Sequence, residues 1–199
     1  MPVLAFGLFT IQIGCLLGLR FLRHQRKYGR FGLATELTPN LIGGGGILLS
    51  GLLFALAPWM QTIGVVGPLY LGNASLEAGL GLWLFGLIGA WWSQSAMESS
   101  WRFGVELQSE VTALVTHGPY RRVRNPIYSF DLLSLLGLVL ICPNIATIMA
   151  LLVVQIAFFV QVKYVEEPHL VATHGRSYLL WAAETGRFMP RFRKFNRLL

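Results

Sequence analysis

The chain has 199 residues, of which 54% are hydrophobic and 13% charged, with a formal net charge of +7 and a mean hydropathy of +0.58. Ordinary soluble domains carry roughly 25% charged residues, so this balance excludes one of them. The positive charge does not describe a nucleic-acid partner either, because the arginines flank apolar stretches and form no polar face.

A membrane-crossing helix needs about 20 apolar residues. Five runs qualify, at 3–22, 41–60, 70–92, 126–142 and 144–164. The first lacks a basic leader and a small-residue cleavage site, and its charges follow the apolar run, so it reads as a retained helix and not a signal peptide. Cys15 and Cys142 both lie in apolar runs and are expected as buried small hydrophobes without a disulfide. Gly43 to Gly46 in the second run, and Gly79, Gly81, Gly86 and Gly89 in the third, suit close helix approach in lipid. Residues 93–125 are polar enough for water. There Val111, Thr112, Val115 and Thr116 run up to Gly118-Pro119 and predict a short extended stretch and a turn. Only Pro143-Asn144 divides the last two runs, which predicts a tight turn and an antiparallel hairpin. The tail mixes aromatic and basic residues, and one short helix, about 169–183, is expected at the membrane surface. Trp59, Tyr70, Trp91, Trp92 and Trp101 stand near run ends as interfacial anchors.

The sixteen Lys and Arg residues fall in three groups: 20–30, 102–124, and from Lys163 onward. Neither the 61–69 connection nor the Pro143 turn has one. Cytoplasmic connections collect such charge. The expected fold is therefore an all-α integral membrane protein, one domain over 1–199, with five transmembrane helices. Its N-terminus is outside, and its C-terminus and basic loops are cytoplasmic.

Ionisable groups at membrane depth are functional candidates. Asp131 follows Arg124 by two helical turns, a position compatible with either a structural ion pair or a pocket residue. Glu98, just past the third run, is expected to pair with an arginine. Glu166 and Glu167 end the fifth run. Adjacent helix positions point about 100° apart, so one can face a ligand while the other meets an arginine. The hairpin makes Arg124 to Tyr128 neighbours of Lys163 to Glu167. Arg121 and Arg122 suit contact with anionic lipid, and His117, His169 and His174 are too scattered for a metal site.

"GPYRRVRNPIY", then "VEEPHL", then "HGRSYLLWAAETGRFMP" resemble, in that order, three elements of the isoprenylcysteine carboxyl methyltransferase family and its bacterial and archaeal relatives. The likeness covers about 101–190, with "SWRFGV" at Ser100–Val105 resembling the segment before the first element. The resemblance implies an integral membrane enzyme that uses S-adenosylmethionine and has no Rossmann sheet. It further implies cofactor contacts from Gly118, Tyr120, Arg124, Asn125, Pro126, Tyr128, Glu166, Glu167 and Tyr178, with Arg187 closing the site from the tail. Arg187, Glu166 and Asp131 are the expected catalytic residues. Asn125 replaces the histidine of many relatives. Asp131 stands where relatives are apolar, and Pro168 follows the glutamate pair directly. The acceptor would be lipophilic, a membrane lipid or a prenylated molecule. Phospholipid-amine N-methylation, thiol S-methylation, an NADPH-dependent membrane reductase and a non-catalytic subunit are the competing readings.

Overall fold

The computed structural model describes residues 1–29, 37–72, 74–101 and 113–191. Its regular structure is helical, with only isolated bridges between extended residues. In chain order the helices are α1 (Pro2–Tyr28), α2 (Leu37–Thr62), α3 (Ala74–Ala96), α4 (Pro126–Ile141), α5 (Ile145–His174) and α6 (Arg176–Glu184). Single turns of 3-10 helix lie at Glu98–Ser100 and Gly118–Arg121.

Among the described residues, four helices are long and apolar enough to cross a membrane: α1, the Gly43–Thr62 part of α2, α3 and α5. Helix α4 is apolar but has 16 residues, about 24 Å at 1.5 Å per residue, short of a roughly 30 Å hydrocarbon core. The expected count of five, and the orientation drawn from it, therefore depend on α4. The chain is a multi-helix integral membrane protein in either case.

Glycines set the helix contacts. Helix α3 lies along α4, and a Cβ on Gly79 would stand 2.8 Å from the Gly137 carbonyl oxygen. Helix α2 lies along α5, where a Cβ on Gly46 would stand 2.7 Å from Ala157 Cβ. Gly81, Gly44 and Gly45 face open space instead. A helix contact uses only the glycines on one face, so part of each predicted cluster is idle. Between the two pairs of helices the core closes on Phe54, Leu138, Val154 and Phe158.

The Pro143-Asn144 turn joins α4 to α5 as a hairpin. Asn144 caps α5: its side chain accepts from Thr147 N at 2.9 Å, and Thr147 Oγ1 accepts from Asn144 N. Asn144 Nδ2 also donates to Gln61 Oε1 at 2.9 Å, and Leu69 N to the Pro143 carbonyl at 2.7 Å. These bonds tie the turn to the connection after α2. Cys142 is buried and Cys15 half-buried, both as free thiols.

Three boundaries differ from expectation. The third run begins at Ala74, because Gly72, at φ +85°, turns the chain immediately before it. The last apolar run does not stop at 164. It widens into a π turn at Val162–Glu166 and continues past Pro168 to His174. Pro168 cannot bond to the Tyr164 carbonyl, but that carbonyl lies in the wide turn, which absorbs the ring. The break falls instead at Gly175, φ +54°, inside the helix expected over 169–183. Of the extended stretch expected near 111–116, the described part, 113–116, has no regular structure, and residues 102–112 lie outside the description, with most of "SWRFGV".

Candidate active site at the charged end of the hairpin

The tail after α6 is stitched to the segment entering α4. Arg124 N donates to the Gly186 carbonyl at 2.8 Å and Asn125 N to the Arg187 carbonyl at 3.0 Å, around a parallel bridge between Val123 and Gly186. Asn125 Nδ2 adds a second bond to the Arg187 carbonyl at 3.1 Å, and Ser129 Oγ donates to the Phe188 carbonyl at 2.6 Å. Pro126 opens α4, where a missing N–H costs nothing. Gly118 takes φ +58° to begin the turn that carries Tyr120 inward.

Arg124 joins three elements. Its Nη1 donates to the carbonyls of Ala182 and Thr185, both at 2.7 Å, so a cation closes the C-terminus of α6. Its Nη2 meets Glu167 Oε1 at 3.2 Å. Arg187 grips the same carboxylate with a fork, Nε to Oε1 at 2.8 Å and Nη2 to Oε2 at 2.7 Å. That bond raises the Arg187 pKa against the opposing effect of burial.

The neighbouring glutamate is held differently. Glu166 accepts a short hydrogen bond from the Tyr128 hydroxyl and has no cation partner among the described residues. Tyr128 packs on Phe158, with ring centroids 4.4 Å apart. The wide turn ends at these two glutamates, so one carboxylate is saturated and the other is left with a single phenol.

Aromatic groups wall the space. Tyr120 and Tyr178 are buried, Trp181 Nε1 donates to the Tyr120 carbonyl at 3.2 Å, and the Tyr178 and Trp181 rings meet edge to face. Burial pushes both phenols up. Glu166 adds to the effect at Tyr120 and Arg20 opposes it; Tyr178 rises to about 12, with Glu167 adding and Arg124 and Arg187 opposing.

Asp131 stands apart from the Arg124 cluster. It accepts from Gln12 Nε2 of α1 at 2.7 Å, and no ion pair joins it to Arg124 among the described residues. At three residues beyond Tyr128 it shares that residue's face of α4, one turn deeper. Glu98 meets an arginine through its backbone, its carbonyl accepting from Arg20 Nη2 at 3.0 Å. Arg121 and Arg122 are exposed. Gln12, Ser129 and Thr185 join the residues expected from the sequence, beside Trp181 of the aromatic tail. A glutamine inside an apolar run was the one visible signal among them.

Two arginines around a carboxylate, an unpaired carboxylate, and buried aromatic faces form a donor set for a ligand bearing both charges. A family model described as phospholipid methyltransferase matches residues 74–177, just over half of the chain. The chain belongs to that family. The phospholipid methyltransferases lie within the isoprenylcysteine carboxyl methyltransferase-like superfamily of membrane methyltransferases, which generally use S-adenosylmethionine. No curated protein matches the chain significantly. Within this chain the matched stretch runs from α3 to the start of α6. It takes in Tyr120, Arg124, Tyr128 and both glutamates and stops just before Tyr178. All of α1 lies outside it.

Proposed function

We propose that the chain transfers a methyl group from S-adenosylmethionine to a lipophilic acceptor at the cytoplasmic ends of α4 and α5. The observation that carries this reading is the division of labour between adjacent glutamates. Glu167 is consumed by Arg124 and Arg187, while Glu166 is anchored among the described residues by Tyr128 alone.

The donor set suits the cofactor. Arg124 Nε is buried with no hydrogen-bond partner, a group that a ligand oxygen could satisfy. Arg124 and Arg187 can share the cofactor carboxylate, and Glu166 can take its ammonium or its ribose hydroxyls. Gly118, Asn125 and Pro126 shape the entry. Tyr120, Tyr128 and Tyr178 offer aromatic faces to the adenine and the sulfonium. When bound, S-adenosylmethionine supplies an electrophilic methyl group for in-line displacement, a reaction that needs mainly alignment and exclusion of water.

The acceptor class follows from the acids. Glu166 and Asp131 share the Tyr128 face without a cation among the described residues, an arrangement that repels an anionic nucleophile and attracts an amine. Asp131, positioned by Gln12, receives the proton that the acceptor nitrogen sheds as its lone pair forms the new N–C bond. This favours a phospholipid amine over an isoprenylcysteine carboxylate, in keeping with the family match.

Calorimetric titration of the detergent-purified chain with S-adenosylhomocysteine, and separately with NADPH, tests the cofactor. Binding of the first alone is expected, and a silent titration removes the methyltransferase reading. Labelled donor offered with phosphatidylethanolamine or with farnesylcysteine tests the acceptor, and label appearing only in farnesylcysteine overturns the amine. Asp131→Asn is expected to cut turnover at least tenfold, within the usual range for losing a proton-transfer group, while leaving adenosylhomocysteine affinity unchanged.

A further inference from the structure

Helix α1 lies outside the matched stretch, yet it turns polar side chains into the core. Gln12, Leu16, Arg20 and His24 are buried at every fourth position. In a regular α-helix, steps of four drift about 40° each round the axis. The wide π turn Gly14–Leu19 counters that drift and keeps the four in line. The stripe runs from Gln12, bonded to Asp131, toward the charged end of the hairpin.

Arg20 is 9% exposed, and no carboxylate lies within ion-pair distance of it among the described residues. Its guanidinium carbon stands 5.1 Å from the centroid of the Trp101 ring, Nη2 donates to the Glu98 carbonyl, and Nε is buried without a partner. Trp101 is itself wedged against Phe21 and His24, with centroids 5.3 and 5.7 Å away. Glu98 holds φ +46°, the one positive value at a non-glycine among the described residues, in the turn that presents its carbonyl. A carbonyl and an indole thus hold the guanidinium in place, and neither neutralises it. A buried cation without an anion is costly. The stripe that ends in Arg20 and His24 begins at the Gln12 contact to Asp131, and Tyr120 lies within electrostatic reach of both Arg20 and Glu166.

We propose that Arg20, backed by Trp101, binds the phosphodiester of the lipid acceptor and so selects which lipids present their headgroup to Glu166 and Asp131. The proposal rests on the acceptor reading above and adds a specificity residue from α1. The other anion at hand is the cofactor carboxylate, but that group has Arg124 and Arg187 at the tail. Arg20 stands instead where the apolar part of α1 gives way to its basic end, with Leu19 and Leu22 about half exposed beside it. That level suits a headgroup whose acyl chains lie along the apolar part.

The test uses the full chain in dodecyl maltoside. Native mass spectrometry compares retention of phosphatidylethanolamine with that of diacylglycerol of the same acyl chains, and calorimetry follows S-adenosylhomocysteine in parallel. The wild-type chain should prefer the phosphodiester, and Arg20→Met should cut that preference about tenfold, the value of one charged hydrogen bond, with adenosylhomocysteine affinity unchanged. Glycerophosphoethanolamine, the same headgroup without chains, should not displace the lipid at equal concentration. No wild-type preference, an intact preference in Arg20→Met, displacement by the soluble headgroup, or a loss confined to adenosylhomocysteine would each overturn the proposal. If Arg20→Met does not fold, Arg20→Gln decides: it keeps a polar side chain without the charge, and an undiminished preference refutes the assignment. A wild-type chain that prefers the phosphodiester but ignores adenosylhomocysteine upholds the anion site and sinks the methyltransferase reading instead.

Discussion

The two ends of the α4–α5 hairpin are built on opposite plans. The charge-free end is closed by a capping box within Asn144–Thr147 and by uncharged bonds to Gln61 at the end of α2 and to Leu69. The charged end is closed by residues far apart in the sequence: Arg124 with Glu167, Ala182 and Thr185, and Glu167 with Arg187. One end is a turn that any hairpin could use. The other brings three chain segments to one carboxylate and leaves its neighbour unpaired. A fold that uses neutral bonds at one end and charged ones at the other separates holding the hairpin together from building a site on it.

Breaking the charged end should have the largest effect. Glu167→Ala leaves Arg124 and Arg187 facing each other in a half-buried place. Adenosylhomocysteine affinity should fall more than tenfold, and stability by about 2 kcal/mol, between the ranges for exposed and buried pairs. Titration calorimetry and thermal unfolding of the purified chain report the two, and wild-type affinity in this variant would contradict the assembled site. At the charge-free end, Asn144→Ala removes a cap worth about 1 kcal/mol. It should lower the unfolding temperature and leave ligand affinity untouched; a matching loss of affinity would erase the distinction between the ends.

The smallest effect concerns pH. Tyr178 has its pKa raised to about 12, first by burial. A phenol kept neutral by the fold contributes stability that is complete below about pH 10, its unfolded value. That contribution is lost as pH rises through about 12. Absorbance at 295 nm should show a late tyrosine step that Tyr178→Phe removes, and a step at the ordinary position would show that the ring is not enclosed.

The sequence displayed the hairpin and its charged mouth plainly, because apolar length and basic clustering are properties of contiguous residues. It also made neighbours of Arg124 and the glutamate pair. Which glutamate meets the arginines was hidden, since the π turn at Val162–Glu166 resets the helical phase and no residue type announces such a turn. The stitching of Gly186 and Arg187 to Arg124 and Asn125 runs mainly through backbone groups, which every residue carries alike. Gly81 resembled Gly79 and Gly86 in composition, and only the facing helix tells them apart. Gln12 and Arg20 sat in a run judged by its average hydropathy, where single polar residues are easily lost.

The bridge between Val123 and Gly186 has a consequence for biosynthesis. Helices α1 to α5 precede residues 186–188 in the chain, so the segment entering α4 gains these backbone partners only after the whole hairpin has been made. The tail is therefore the last part of this cluster to be made, and the Arg124 guanidinium waits until then for the Ala182 and Thr185 carbonyls.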